Sequence, residues 1–153
     1  MLKKFSNAIF LFAVLFFVDQ YIKMLFVNGF EKPGECISLV LAYNKGVAFS
    51  MFAFLEGNLK YIQIIMISAG AIYLYFRQDV FKTYYLPIAL LYAGAISNIY
   101  DRFIHVGVVD YVYWHCGFDF AIFNLADVLI NISIALILYI SWQEEKKKKN
   151  NTD

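Results

Sequence analysis

At 153 residues the chain has the length of one ordinary soluble domain, yet 61% hydrophobic and 16% charged residues, with a mean hydropathy of +0.60, exclude soluble usage and make a bilayer its natural solvent. A net charge of +1 without a basic, aromatic-interleaved patch gives no reason to expect a nucleic-acid partner. Two cysteines, Cys36 and Cys116, are too few for a disulfide framework, and whether they pair is open at this stage.

The first apolar block, Phe5 to Val18, follows Lys3 and Lys4 in the manner of a secretory signal. No small-x-small cleavage site follows, so an uncleaved anchor is expected. Crossing a bilayer takes about 20 mostly apolar residues, so this span extends through Asp19, Gln20 and Lys23, over about 5–26. An outer segment follows, in which Ile37 to Tyr43 is β-branched and aromatic enough for a strand, and Val47 to Leu55 suits a short interfacial helix. The second span covers about 58–77 and the third about 83–103, with Pro87 expected in the first turn, where a missing N–H costs little. A second outer segment, Ile104 to Asp119, holds another strand-like run, Val106 to Trp114. The fourth span, about 120–142, is interrupted only by Asp127, and residues 143–153 form a charged tail with no assigned chemistry. The expected fold is thus an all-α integral membrane domain over 1–153, with four transmembrane helices, a small extracytoplasmic β-rich cradle and a short interfacial helix.

With the N-terminus inside, Lys3, Lys4, Arg77, Lys82 and Lys146 to Lys149 lie in the cytoplasm, which makes both termini cytoplasmic. Helix direction alternates. Asp19, Lys23, Asn98, Asp101, Arg102, Asn124 and Asp127 therefore share the outer side of the membrane. Ionisable groups at membrane depth face a bundle interior or a wet cavity, so several at one depth imply one site. Gly94, Asn98 and Arg102 lie on one helical stripe, and Asn124, Asp127 and Asn131 on another. Taken singly, Asp19, Lys23, Asp101 and Arg102 read equally well as helix-end groups at the headgroups. Asp127, expected about two turns inside its span, resists that reading. Ala89, Ala93 and Ser97 read as close-packing positions.

Asp110 stands 17 residues before Asp127, near enough for the outer segment to fold back. Two adjacent carboxyls hold one proton between them, so one can draw a proton from water while the other protonates a carbonyl oxygen. His105, His115, Cys36 and Cys116 lack paired ligand spacing, and no metal site is expected. Two rivals use the same residues otherwise. A transporter would need a polar path onward to the cytoplasm, which the spans do not offer, and a tetraspan assembly factor would leave the convergent carboxylates without purpose.

Five motifs occur in order: Asp19-Gln20-x-x-Lys23, Asn44-x-Gly46-x-Ala48-Phe49, Gly94-Ala95-x-x-Asn98-x-x-Asp101-Arg102, Val108-Val109-Asp110 and Phe123-Asn124-x-Ala126-Asp127. With these the chain resembles signal peptidase II, the bacterial lipoprotein signal peptidase family, over essentially its whole length. The resemblance implies an intramembrane aspartyl endopeptidase with Asp110 and Asp127 as catalytic pair, cutting a diacylglyceryl-modified prolipoprotein just before its lipidated cysteine. It implies supporting or substrate-binding roles for Asp19, Lys23, Asn44, Gly46, Asn98, Asp101, Arg102 and Asn124. It further implies no cofactor, membrane lipid as a partner, a monomer, sensitivity to globomycin, and a site near the periplasmic face of the inner membrane. Two positions depart from the family pattern. Ser97 stands where Gly is common and is expected to crowd the helix packing, and Tyr111 stands where Phe is usual.

Overall fold

The structure is a computed structural model that describes residues 1–46 and 53–150. In chain order it comprises helix α1 (Leu2–Val27), strand β1 (Ile37–Asn44), a 3-10 helix (Ala53–Asn58), α2 (Leu59–Phe76), α3 (Gln78–Ile104), strand β2 (Val108–Trp114) and α4 (Leu125–Asn150). The interfacial helix expected over Val47 to Leu55 falls largely on 47–52, outside the described residues. Its last three residues, 53–55, belong to the 3-10 helix that leads into α2.

Helices α1, α2 and α4 are each long and apolar enough to cross a membrane. Their outward surfaces carry exposed Phe10, Phe17, Ile65, Met66 and Leu138, which suits contact with lipid rather than water. The less apolar α3 is the helix the others pack around, meeting α1, α2 and α4. It buries Ala89, Ala93, Gly94, Ser97, Asn98 and Asp101, small or polar residues that let neighbouring backbones approach. A Cβ at Gly94 would collide with the Ala126 carbonyl oxygen, so this glycine sets how closely α3 and α4 can meet.

Three helix boundaries differ from expectation. α3 begins at Gln78, ahead of the expected start, but it is kinked at Tyr84, so Pro87 lies in the first turn of the helical stretch that follows the kink, as expected. The proline cannot donate to the preceding turn and its ring crowds that turn's carbonyl. The chain accordingly leaves helical geometry at Tyr84 (φ −110°, ψ 18°), close to where the apolar block begins in the sequence. α4 begins at Leu125, because the preceding Phe123 pairs with Val112 of β2 in an extended bridge. At its other end α4 continues to Asn150, so most of the charged tail is helical. Lys147, Lys148 and Lys149 there complement the helix dipole.

Strands β1 and β2 pair antiparallel, with Ala42 opposite Asp110, Asn44 opposite Val108 and a register irregularity between Leu39 and Ala42. A Cys36–Cys116 disulfide closes the far end of the ribbon. The sheet is docked on the end of α1 by the Phe26 and Tyr111 rings, stacked at 4.5 Å between centroids.

Candidate active site

The start of α4 organises the site. The first N–H groups of a helix have no partner within it and must find one elsewhere. Leu125 N–H donates to the Tyr111 hydroxyl (3.0 Å), Ala126 N–H to Asp19 Oδ1 (3.0 Å) and Asp127 N–H to Asn124 Oδ1 (2.9 Å). Asp127 Oδ2 in turn accepts the Asn124 N–H at 3.1 Å, a reciprocal cap built from asparagine and aspartate. Asp127 thus lies in the first turn of α4, not two turns inside as the apolar run suggested, because the run includes five residues, 120–124, that precede the helix.

Asp110 comes from β2 and is 2% exposed. Asn124 Nδ2 donates to its Oδ1 at 2.7 Å and Asn44 Nδ2 to its Oδ2 at 3.1 Å. Asn124 Nδ2 also reaches Asn98 Oδ1 at 3.1 Å, and Asn98 Nδ2 donates to Asp127 Oδ1 at 2.9 Å. The two aspartates are therefore joined through a pair of asparagine amides. Both line one groove of about 500 Å³ with Asn44, Gly46, Asn98 and Arg102. Burial first, and the neighbouring Asp127 charge second, push the Asp110 carboxyl up to about 7, against the opposing pull of Asn44, Lys23 and Asn124.

Beneath the groove lies a buried ionic cluster. Lys23 Nζ sits 2.8 Å from Asp19 Oδ2 and 2.7 Å from Asp101 Oδ2, and donates to Asn98 Oδ1 at 2.9 Å. Each carboxylate also holds a backbone N–H next to a site aspartate: Asp19 takes that of Ala126, before Asp127, and Asp101 takes that of Val109, before Asp110 (3.1 Å). One lysine thus ties together the anchors of both. These charges are fully enclosed, which rules out the reading of Asp19, Lys23 and Asp101 as headgroup-level helix ends. Arg102 reaches over the groove to the Lys45 carbonyl at 3.2 Å and to the Gly46 carbonyl, while Gly46 N–H donates to Asn44 Oδ1 at 2.9 Å.

All ten residues singled out in the sequence come together here. Three more were not given a role. Ser97, expected only to crowd the packing, fits without exposure and donates to Asp19 Oδ2 at 2.6 Å. Gln20 Nε2 donates to Ser97 Oγ and to Asp101 Oδ1, each at 2.8 Å. Tyr111 caps α4 with the hydroxyl that phenylalanine would lack. Their signal was present as spacing, since Gln20 adjoins Asp19 and Ser97 adjoins Asn98, but a small or neutral residue at such a position reads first as packing. The two cysteines form a disulfide, and His115 Nε2 lies 2.9 Å from Ser38 Oγ.

A family profile described as Signal peptidase (SPase) II matches residues 11–143. The chain belongs to the signal peptidase II family. Among its relatives, the lipoprotein signal peptidase of Wolinella succinogenes is 55% identical over 139 residues, covering 91% of this chain and 93% of that one. The lipoprotein signal peptidase of Sulfurimonas denitrificans is 50% identical, covering 91% and 90%. A solved bacterial membrane enzyme shares the fold with a TM-score of 0.80, covering 94% of this chain and 92% of that one at 23% identity. As a signal peptidase II family member the chain is a peptidase and a bacterial membrane protein.

Proposed function

We propose that the protein removes the signal peptide of diacylglyceryl-modified prolipoproteins by cutting just before the lipidated cysteine, with Asp110 and Asp127 as the catalytic pair. The observation that carries this reading is that both carboxyls line one groove and are linked through Asn98 and Asn124. Two such carboxyls titrate as a unit and share a proton at neutral pH. The ionised one takes a proton from water as it attacks the scissile carbonyl, and the protonated one donates to the carbonyl oxygen. Asn98 and Asn124 hold the carboxyls in place through both stages, and the Lys23 cluster fixes the backbone on either side. Hydrolysis of this kind uses no metal, so chelators leave it unchanged.

The groove opens into an apolar cleft of about 720 Å³ along α2, α3 and α4, the two sharing Gln63, Asn98 and Ile130. A signal peptide's apolar helix fits there. Confinement in the membrane plane would then deliver its scissile bond to the aspartates already oriented. Globomycin would compete for the same groove, and the protein acts as a monomer.

α3 serves as the fourth span. Lys4 Nζ donates to the Lys82 carbonyl at 2.9 Å, and the Tyr84 hydroxyl lies 2.9 Å from Ser141 Oγ, so the start of α1, the start of α3 and the later part of α4 share one end. That lysine-rich end is cytoplasmic and the groove is periplasmic. Single cysteines introduced at Asn58 and Gln78 should then label from opposite sides of the inner membrane. The function is tested by incubating the purified protein with lipidated and unlipidated forms of one prolipoprotein. Cleavage of the lipidated form alone, before its cysteine, is expected; cleavage of neither refutes the proposal.

A further inference from the structure

Buried polar atoms nearly always have a partner, and one that lacks it calls for an explanation. Among the described residues two side-chain atoms are of this kind, Gln63 Oε1 on α2 and Arg102 Nε on α3. One is an acceptor and the other a donor. Both residues line the groove that holds Asp110 and Asp127. The terminal nitrogens of Arg102 are engaged by the Lys45 and Gly46 carbonyls, so its guanidinium is fixed while Nε is left over. Gln63 also lines the apolar cleft, alongside Met66, Ile67 and Gly70, so its amide stands where groove and cleft join.

An amide oxygen among apolar neighbours is unfavourable unless something donates to it. A peptide backbone entering from the cleft carries one N–H donor and one carbonyl acceptor at each residue, the complement of what Gln63 and Arg102 leave open. We infer that Gln63 is a substrate-binding residue whose Oε1 accepts a backbone N–H of the signal peptide, on the cleft side of the scissile bond. The inference rests on the groove being the peptidase site. Gln63 lines both the groove and the cleft, and its assigned part is to hold the peptide and not to take part in the proton transfers. The loss is expected in KM, the pattern of an interaction made equally before and during the reaction.

The test uses a lipidated prolipoprotein peptide and a set of its analogues, each N-methylated at one residue before the cysteine. Gln63→Ala and Gln63→Met should each raise KM about fivefold while kcat stays within about twofold, the size expected for one neutral hydrogen bond. One analogue should be cut about fivefold less efficiently than the parent by the wild type, and with no such penalty by either variant. Equal penalties in wild type and variants across the whole set, or an unchanged KM in both variants, would overturn the assignment. Wild-type protein that cuts no lipidated peptide would remove the peptidase reading itself, and the inference with it. The analogues act on the unaltered protein, so the fold of a variant is not in question for the wild-type arm.

Discussion

Asn124 and Asp127 cap each other, the side-chain oxygen of each accepting the backbone N–H of the other. Asp127 therefore holds a structural position as well as its proposed chemical one, and substitutions separate the two. Asp127→Asn keeps an acceptor for the Asn124 N–H and should fold with nearly unchanged stability, whereas Asp127→Ala should lose about 1 kcal/mol, as for other helix caps. Both should lower turnover about 10²- to 10⁴-fold, the usual share of a general acid or base. Turnover by Asp127→Asn near the wild-type rate, in a detergent assay with melting followed in parallel, would exclude the dyad.

The Asp110 carboxyl, pushed up to about 7, makes two pH predictions. The folded state binds this proton more tightly than the unfolded chain, so its contribution to stability is full below the ordinary carboxylate range and is lost as pH rises through about 7. Asp110→Asn should thus gain melting temperature relative to wild type as pH rises toward that value, and gain nothing further beyond it. In the wild type, kcat/KM should fall on the alkaline side of about 7 as the shared proton is lost. A rate that stays flat to pH 9 would contradict that assignment.

Gly94→Ala tests the close approach of α3 and α4. The new methyl would meet the Ala126 carbonyl oxygen, one residue before Asp127, and the Ile130 side chain. Overpacking of this sort costs about 1–3 kcal/mol, and activity should fall by more than the folded fraction explains. A fully active, equally stable variant would mean that the helices can move apart freely.

Lys23→Met would leave Asp19 and Asp101 buried without their cation. Loss of one partner from an enclosed ion pair costs about 3–5 kcal/mol. Adding Asp101→Asn removes one of the two stranded charges, so the double variant should melt higher than Lys23→Met alone. Equal or lower melting of the double variant would show that the cluster is not held by charge balance.

The Cys36–Cys116 disulfide spans the end of the ribbon that carries Asn44 and Asp110. Removal of such a link commonly costs about 2–4 kcal/mol. Cys36→Ser should melt lower under oxidising conditions and match the reduced wild type. Thiol alkylation of the denatured, unreduced protein should modify neither cysteine, and modification of both would show that the link does not form.

Apolar blocks made the helices legible, and alternating β-branched and aromatic residues made the two strands legible. Helix ends were less so. Hydropathy does not distinguish the non-helical residues before Leu125 from the helix after it, and only the Asn124 cap marks the boundary. The start of α3 was missed because the polar turns before Thr83 carry no apolar signal, although they are helical. At the site, charge at membrane depth exposed Asp19, Lys23, Asp101 and Asp127. Ser97, Gln20, Gln63 and Tyr111 stayed hidden, since neutral side chains declare their partners only when the chain has folded around them.

The helix that carries Asp127 begins on hydrogen bonds to Tyr111 of β2 and Asp19 of α1, as well as to its own Asn124. A nascent chain with only its first helices inserted has neither aspartate in position, and one lacking the ribbon leaves that helix start uncapped. On the proposed assignment of the aspartates, the groove is complete only once the last segment has joined the rest, and a partly inserted copy should cut nothing.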